Sequence, residues 1–90
     1  MACYVDELFG CLPTRRWRYR KACHLTADTV DELHDFAACI GLKRVWFQDH
    51  SRIPHYDLTP NKRMAALRAG ARSITVREMV ARMMDPREDG

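Results

Sequence analysis

Glycine is scarce in this chain. Its four glycines, Gly10, Gly41, Gly70 and Gly90, stand singly, so no glycine-rich phosphate cradle of the P-loop or dinucleotide type is present. The four cysteines, Cys3, Cys11, Cys23 and Cys39, form no C-x-x-C pair, which removes the usual redox and zinc-ribbon patterns. No apolar run approaches the roughly 20 residues of a membrane span. The segment from Met1 to Leu12 holds Asp6 and Glu7 and lacks a basic start followed by an apolar stretch, so it does not read as a signal peptide. Free thiols and a cytoplasmic setting are therefore expected, with no membrane partner.

What is there reads as one globular domain over 1–90. Hydrophobic residues make up 47% of the chain and charged residues 30%, which is outside the disordered range. The net charge of +3 is unevenly spread. Arg15, Arg16, Arg18, Arg20 and Lys21 fall in one short stretch interleaved with Trp17 and Tyr19. Cations alternating with aromatics suit phosphate contact combined with base stacking. They equally suit a solvated loop whose rings pack on the domain, or an exposed strand.

The element pattern is β-α-β-α-β-α. A strand is expected over 1–8 and a basic loop over 9–28. Thr29-Val30-Asp31-Glu32 is a capping box that opens a helix over 29–41, closed by Gly41. The run Val45-Trp46-Phe47 has no polar alternation, so 43–48 is expected as a central parallel strand. A loop over 49–58 leads to Thr59-Pro60, which starts a helix over 59–70. A brief strand over 72–75, a helix over 76–84 behind the capping box Thr75-Val76-Arg77-Glu78, and a tail over 85–90 complete the chain. The fold class is α/β, a small two- or three-layer domain with a short, mostly parallel three-stranded sheet.

In such a sheet the loops after the strands meet at one edge, where ligands bind. That edge would gather Asp6, Arg15, Arg16, Trp17, Arg18, Arg20, His24, Gln48, His50, His55, Tyr56, Asp57, Lys62 and Arg63. His55, Tyr56 and Asp57 precede a helix N-terminus, whose free N–H groups suit an anion. His24, His55 and Asp57 are the candidate catalytic groups, because imidazole titrates near neutral pH and a carboxylate can orient it. The remaining polar residues and Trp17 are candidate ligand contacts. For each, a bland alternative stands: Asp57 bonds the loop, His55 packs, and the cations extend into water.

Tyr4-Val5-Asp6, Cys23-His24-Leu25-Thr26-Ala27-Asp28 with Glu32-Leu33-His34, and Trp46-Phe47-Gln48 followed by His55-Tyr56-Asp57-Leu58-Thr59 and Lys62-Arg63 together resemble a family of small bacterial and phage proteins catalogued as a domain of unknown function. The resemblance runs to about Thr75 and implies an intracellular domain, without assigning an activity. His24-Leu25-Thr26 also matches the H-x-T element of two-histidine phosphoesterases, but the second such element is missing, since His55-Tyr56 is followed by Asp57.

Three functions compete. The first is binding of a phosphate-bearing ligand, a nucleotide or nucleic acid, with histidine-based phosphoester chemistry as its extension. The second is a protein-interaction module, for instance a phage-encoded modulator of a host protein, anchored by the Arg/Trp stretch. The third is a metal site drawn from Cys23, His24, Asp49, His50, His55 and Asp57, whose spacing fits no standard zinc pattern. No resident cofactor is expected, a divalent metal being the one candidate.

Overall fold

Strand alternation organises the molecule. A computed structural model describes residues 2–15, 17–48 and 54–84. Its elements are β1 (Cys3–Val5), β2 (Phe9–Gly10), β3 (Lys21–Ala27), α1 (Val30–Cys39), a 3₁₀ turn (Arg44–Trp46), β4 (Phe47–Gln48), β5 (His55–Leu58), α2 (Pro60–Arg68), β6 (Arg72–Ser73) and α3 (Val76–Met84). Among the described residues the sheet has six strands in the order β4-β5-β3-β1-β6, with β2 also paired to β3. Successive side chains in a strand face opposite ways. Cys3 and Val5, Cys23 and Leu25, Tyr56 and Leu58 therefore share one face, and they pack with Leu33, Ala37, Ile40, Leu42, Ala66 and Ala71 into the core. The other face carries Tyr4, Asp6, Ala22, His24, Thr26, Gln48, His55 and Asp57.

The helices begin and end where local chemistry places them. The Thr29 hydroxyl accepts the Glu32 N–H at 3.1 Å and donates to the Glu32 carboxylate at 3.2 Å. Thr75 and Glu78 repeat the reciprocal pattern, with the Thr75 N–H donating to the carboxylate at 2.8 Å. Thr59 caps α2 through the Lys62 N–H, with Pro60 in the first turn. Gly41 closes α1 at φ 83°, and Leu42 N–H reaches back to the Ala37 carbonyl at 2.9 Å. That is the left-handed closure a glycine permits without steric cost.

The sheet departs from the expected one. Only β1 and β6 run parallel; β1–β3, β2–β3, β3–β5 and β4–β5 are antiparallel. The supposed basic loop over 9–28 contains β2 and the seven-residue central strand β3. His55–Leu58, expected in a loop, is β5. The Val45-Trp46-Phe47 run is no central strand: Val45 and Trp46 lie in the 3₁₀ turn at 81% and 46% exposure, and β4 is a two-residue edge. The first strand is confined to Cys3–Val5 and the third helix spans Val76–Met84 as expected. The expected tail at 85–90 lies outside the described residues. No helix among the described residues is long and apolar enough to cross a membrane.

The β1–β2 edge contains a bulge. Val5 pairs with Leu25 and Phe9 with Ala22, so four steps on one strand face three on the other. Such an extra residue re-aims a side chain, and here the carboxyl of Asp6 turns onto the neighbouring strand.

Candidate functional site

Three strands bring Asp6, His24 and Asp57 into a row. His24 on β3 pairs with Asp57 on β5, and Asp6, at the end of β1, sits across from it with its own N–H donating to the His24 carbonyl at 3.3 Å. The Asp6 carboxylate is fully buried. It accepts the His24 backbone N–H at 2.7 Å and lies 2.8 Å from His24 Nδ1. A buried carboxylate this close keeps a proton on Nδ1, which leaves the lone pair of the imidazole at Nε2. The His24 side chain stays 25% exposed.

His55 enters the same cluster from β5. Its ring centroid lies 5.1 Å from that of His24, edge to face, and its Nε2 is 3.6 Å from Asp57 Oδ1. The His55 imidazole holds the Asp57 carboxyl below the usual carboxylate range, against the opposing effect of burial and with His24 adding to the depression. One donor atom from each of His24, His55 and Asp57 lies within 4.8 Å of the other two. Phe9 covers His24 from β2, 5.2 Å between ring centroids.

A cavity of about 810 Å³ adjoins this cluster, lined by Phe9, Trp17, Tyr19, Trp46, Gln48 and Asp57 among others. It lies within the size range of small-molecule sites and has the mostly apolar wall with few polar groups that they share. Trp17 and Tyr19 meet edge to face at 5.4 Å. Their loop is a hairpin connection, closed by Cys11 N–H to the Arg20 carbonyl at 2.8 Å and turned at Thr14, whose hydroxyl accepts the Trp17 N–H at 3.0 Å. Asp57 belongs to both the cavity wall and the histidine cluster.

The sequence-selected residues thus divide. Asp6, His24, His55 and Asp57 form the cluster, and Trp17 and Gln48 the cavity wall. Arg15, Arg18 and Arg20 are exposed on the hairpin loop. Tyr56 faces the core instead, 1% exposed, with its hydroxyl 2.9 Å from His34 Nδ1. Lys62 lines the cavity but donates from Nζ to the Ile40 carbonyl at 2.7 Å. Arg63 donates from Nε to the Asp6 carbonyl at 2.8 Å and from Nη2 to Ser73 Oγ at 3.2 Å. Arg16, Asp49 and His50 lie outside the described residues. Phe9, Leu42, Val45 and Trp46 line the cavity without having been singled out. Trp46 had a signal in the sequence, since an indole next to Lys43 and Arg44 need not be core; Phe9 had none.

The chain belongs to the family described as a protein of unknown function (DUF4031), which matches residues 3–86. No curated protein and no solved structure matches it.

Proposed function

We propose that this member of the DUF4031 family binds a phosphate-bearing ligand, a nucleotide or the end of a single-stranded nucleic acid. The base would lie in the aromatic cavity and the phosphate at the histidine–aspartate cluster beside it. The observation that carries this reading is the contiguity of the two regions at Asp57, with Phe9 touching His24 from the cavity side. Base–aromatic stacking contributes about 1–3 kcal/mol per base, and Trp17, Tyr19 and Trp46 offer the rings. Arg15, Arg18 and Arg20, exposed on the same hairpin loop, supply cationic charge for the rest of a phosphate chain. All four cysteines are free, which is compatible with the reducing cytoplasm that this reading takes as the site of action.

The test is quenching of tryptophan fluorescence by nucleotides and short oligonucleotides. Saturable quenching is expected, weakened at least tenfold in Trp17→Ala. Arg18→Ala should make the salt dependence of oligonucleotide binding shallower by up to about 0.7 in log–log slope. Absence of saturable binding by every nucleotide and oligonucleotide would overturn the proposal.

One observation favours a second reading. Leu12 and Val45 line the cavity mouth at 83% and 81% exposure, as in a surface awaiting an apolar partner. A protein-interaction module would bind its partner with little response to salt and lose affinity in Leu12→Ser and Val45→Ser, whereas nucleotide quenching would be absent.

A further inference from the structure

We infer that His24, His55 and Asp57 form a binding site for a divalent transition-metal ion, with Asp6 as the carboxylate that orients His24. The donors converge on one point: two imidazoles and a carboxylate within 4.8 Å of one another. Metal–donor distances are about 2.0–2.2 Å for imidazole and carboxylate, which sets donors about 3.3–3.6 Å apart around a tetrahedral ion, so the donors must draw together by up to about 1.5 Å. Asp57 is the member able to do so, because its side chain is 37% exposed while His55 is 11% exposed.

The second observation concerns the group behind His24, outside the donor set. Asp6 is buried, lies 2.8 Å from His24 Nδ1 and accepts the His24 backbone N–H as well. Ligating histidines commonly donate their other ring nitrogen to a carboxylate, which fixes the tautomer and raises basicity at the metal-facing nitrogen. The bulge between β1 and β2 and the clamp of Arg63 on the Asp6 carbonyl hold that carboxylate in place. A fully buried carboxylate thus occupies Nδ1 of an imidazole that stays 25% exposed. It leaves Nε2 prepared for an electrophile.

The charge of the site argues the same way. Asp57 is the carboxylate at the junction of cavity and cluster, where the proposed function puts a phosphate. Two anions there repel, and Lys62 and Arg63 are engaged with backbone carbonyls. A divalent ion bridging the carboxylate and a phosphate oxygen resolves the conflict. Two nitrogens with one carboxylate select a first-row transition ion over magnesium or calcium, which prefer all-oxygen shells. The remaining coordination positions are left for water or ligand oxygens. The phosphate-bridging role rests on the proposed function, but the metal site itself does not.

The experiment is isothermal titration of chelator-treated protein with Zn²⁺ and Mn²⁺, Mg²⁺ serving as the comparison, and an absorption spectrum of the Co²⁺-loaded protein. One ion per chain is expected, with weak or no Mg²⁺ binding and a Co²⁺ spectrum free of thiolate charge transfer. Asp57→Asn and His55→Gln should each weaken binding at least tenfold. Asp6→Asn should weaken it about 10–100-fold while the folded circular-dichroism spectrum is retained. If Asp6→Asn fails to fold, Asp57→Asn decides, since that side chain is the most exposed of the cluster. No stoichiometric binding, unaltered binding in Asp57→Asn, or a thiolate band would overturn the inference. Nucleotide quenching that persists in chelator would overturn the metal bridge and leave the proposed function intact. One bound ion without any nucleotide response would overturn the proposed function and leave the metal site intact.

Discussion

Trp17 is held at the cavity wall with an internal conflict. Its indole Nε1 is buried with no hydrogen-bond acceptor among the described residues, and an unmet buried donor costs about 1–3 kcal/mol. Trp17→Phe keeps an aromatic ring against Tyr19 and deletes the donor, so urea denaturation should show stability unchanged or raised, while Trp17→Ala should lower it. A loss of stability in Trp17→Phe equal to that in Trp17→Ala would mean that the indole has an acceptor after all. Cys3 provides a second residue-scale test. Burial, followed by the nearby Glu32 and Asp28 carboxylates, pushes its thiol up from 9.0 to about 11. The folded chain thus holds this proton more tightly than the unfolded chain. The associated stability is complete below pH 9.0 and is lost as pH rises toward about 11. Cys3→Ala removes the titrating group, and its stability should therefore decline less steeply over that interval than that of the unaltered chain.

Elements were legible in the sequence to the degree that their determinants are local. Thr29 with Glu32, Thr75 with Glu78, and Thr59 with Pro60 lie within one turn of the groups they serve, and each marks a helix start in the structure. Strands depend on partners far along the chain. In Lys21–Ala27 and His55–Leu58 core residues alternate with His24, Thr26, His55 and Asp57, and aspartate is depleted from strands and favoured in turns. That polar face is what hid the strands. Conversely, Val45 and Trp46 have high strand propensity and sit in a 3₁₀ turn, because the chain must turn between Leu42, in the core, and the short edge strand β4. The proximity of Asp6, His24, His55 and Asp57 was legible in the sequence, but for the wrong geometry: they meet across strand faces rather than at loop ends. At this scale Gly41→Ala is informative. Its φ of 83° is disfavoured for alanine, and the added carbon would lie 2.9 Å from Lys62 Nζ, displacing the amine that donates to the Ile40 carbonyl. A loss of about 1 kcal/mol or more is expected, read as a melting temperature lowered by roughly 4–8 °C per kcal/mol in a chain of this size. An unchanged melting temperature would show that α1 closes without the left-handed residue.

Across the whole molecule, one face of the sheet packs into the core and the other carries the polar cluster, and Arg63 connects them. It rises from α2 on the core side, donates to the Asp6 carbonyl inside the bulge, and reaches Ser73 on β6. It therefore ties the first strand, the second helix and the last strand together at the residue whose carboxylate orients His24. Arg63→Lys keeps the charge but loses the planar fork that serves two acceptors in different directions. The Asp6 carbonyl would lose its donor, and a net loss of about 1–3 kcal/mol is expected for a charge-assisted bond of this kind. The consequence for the other face is the sharper expectation. Arg63 does not line the cavity and is not a member of the metal-donor cluster, yet relaxing the bulge lets the Asp6 carboxylate drift from His24 Nδ1. Arg63→Lys should thus weaken Zn²⁺ binding severalfold at a temperature where the variant is fully folded, as titration calorimetry alongside circular dichroism would show. Arg18→Ala, on the exposed loop, should leave both melting temperature and Zn²⁺ affinity unchanged. Equal Zn²⁺ affinity in Arg63→Lys and the unaltered chain would mean that the bulge holds Asp6 without its clamp, and that the two faces of the sheet are energetically independent.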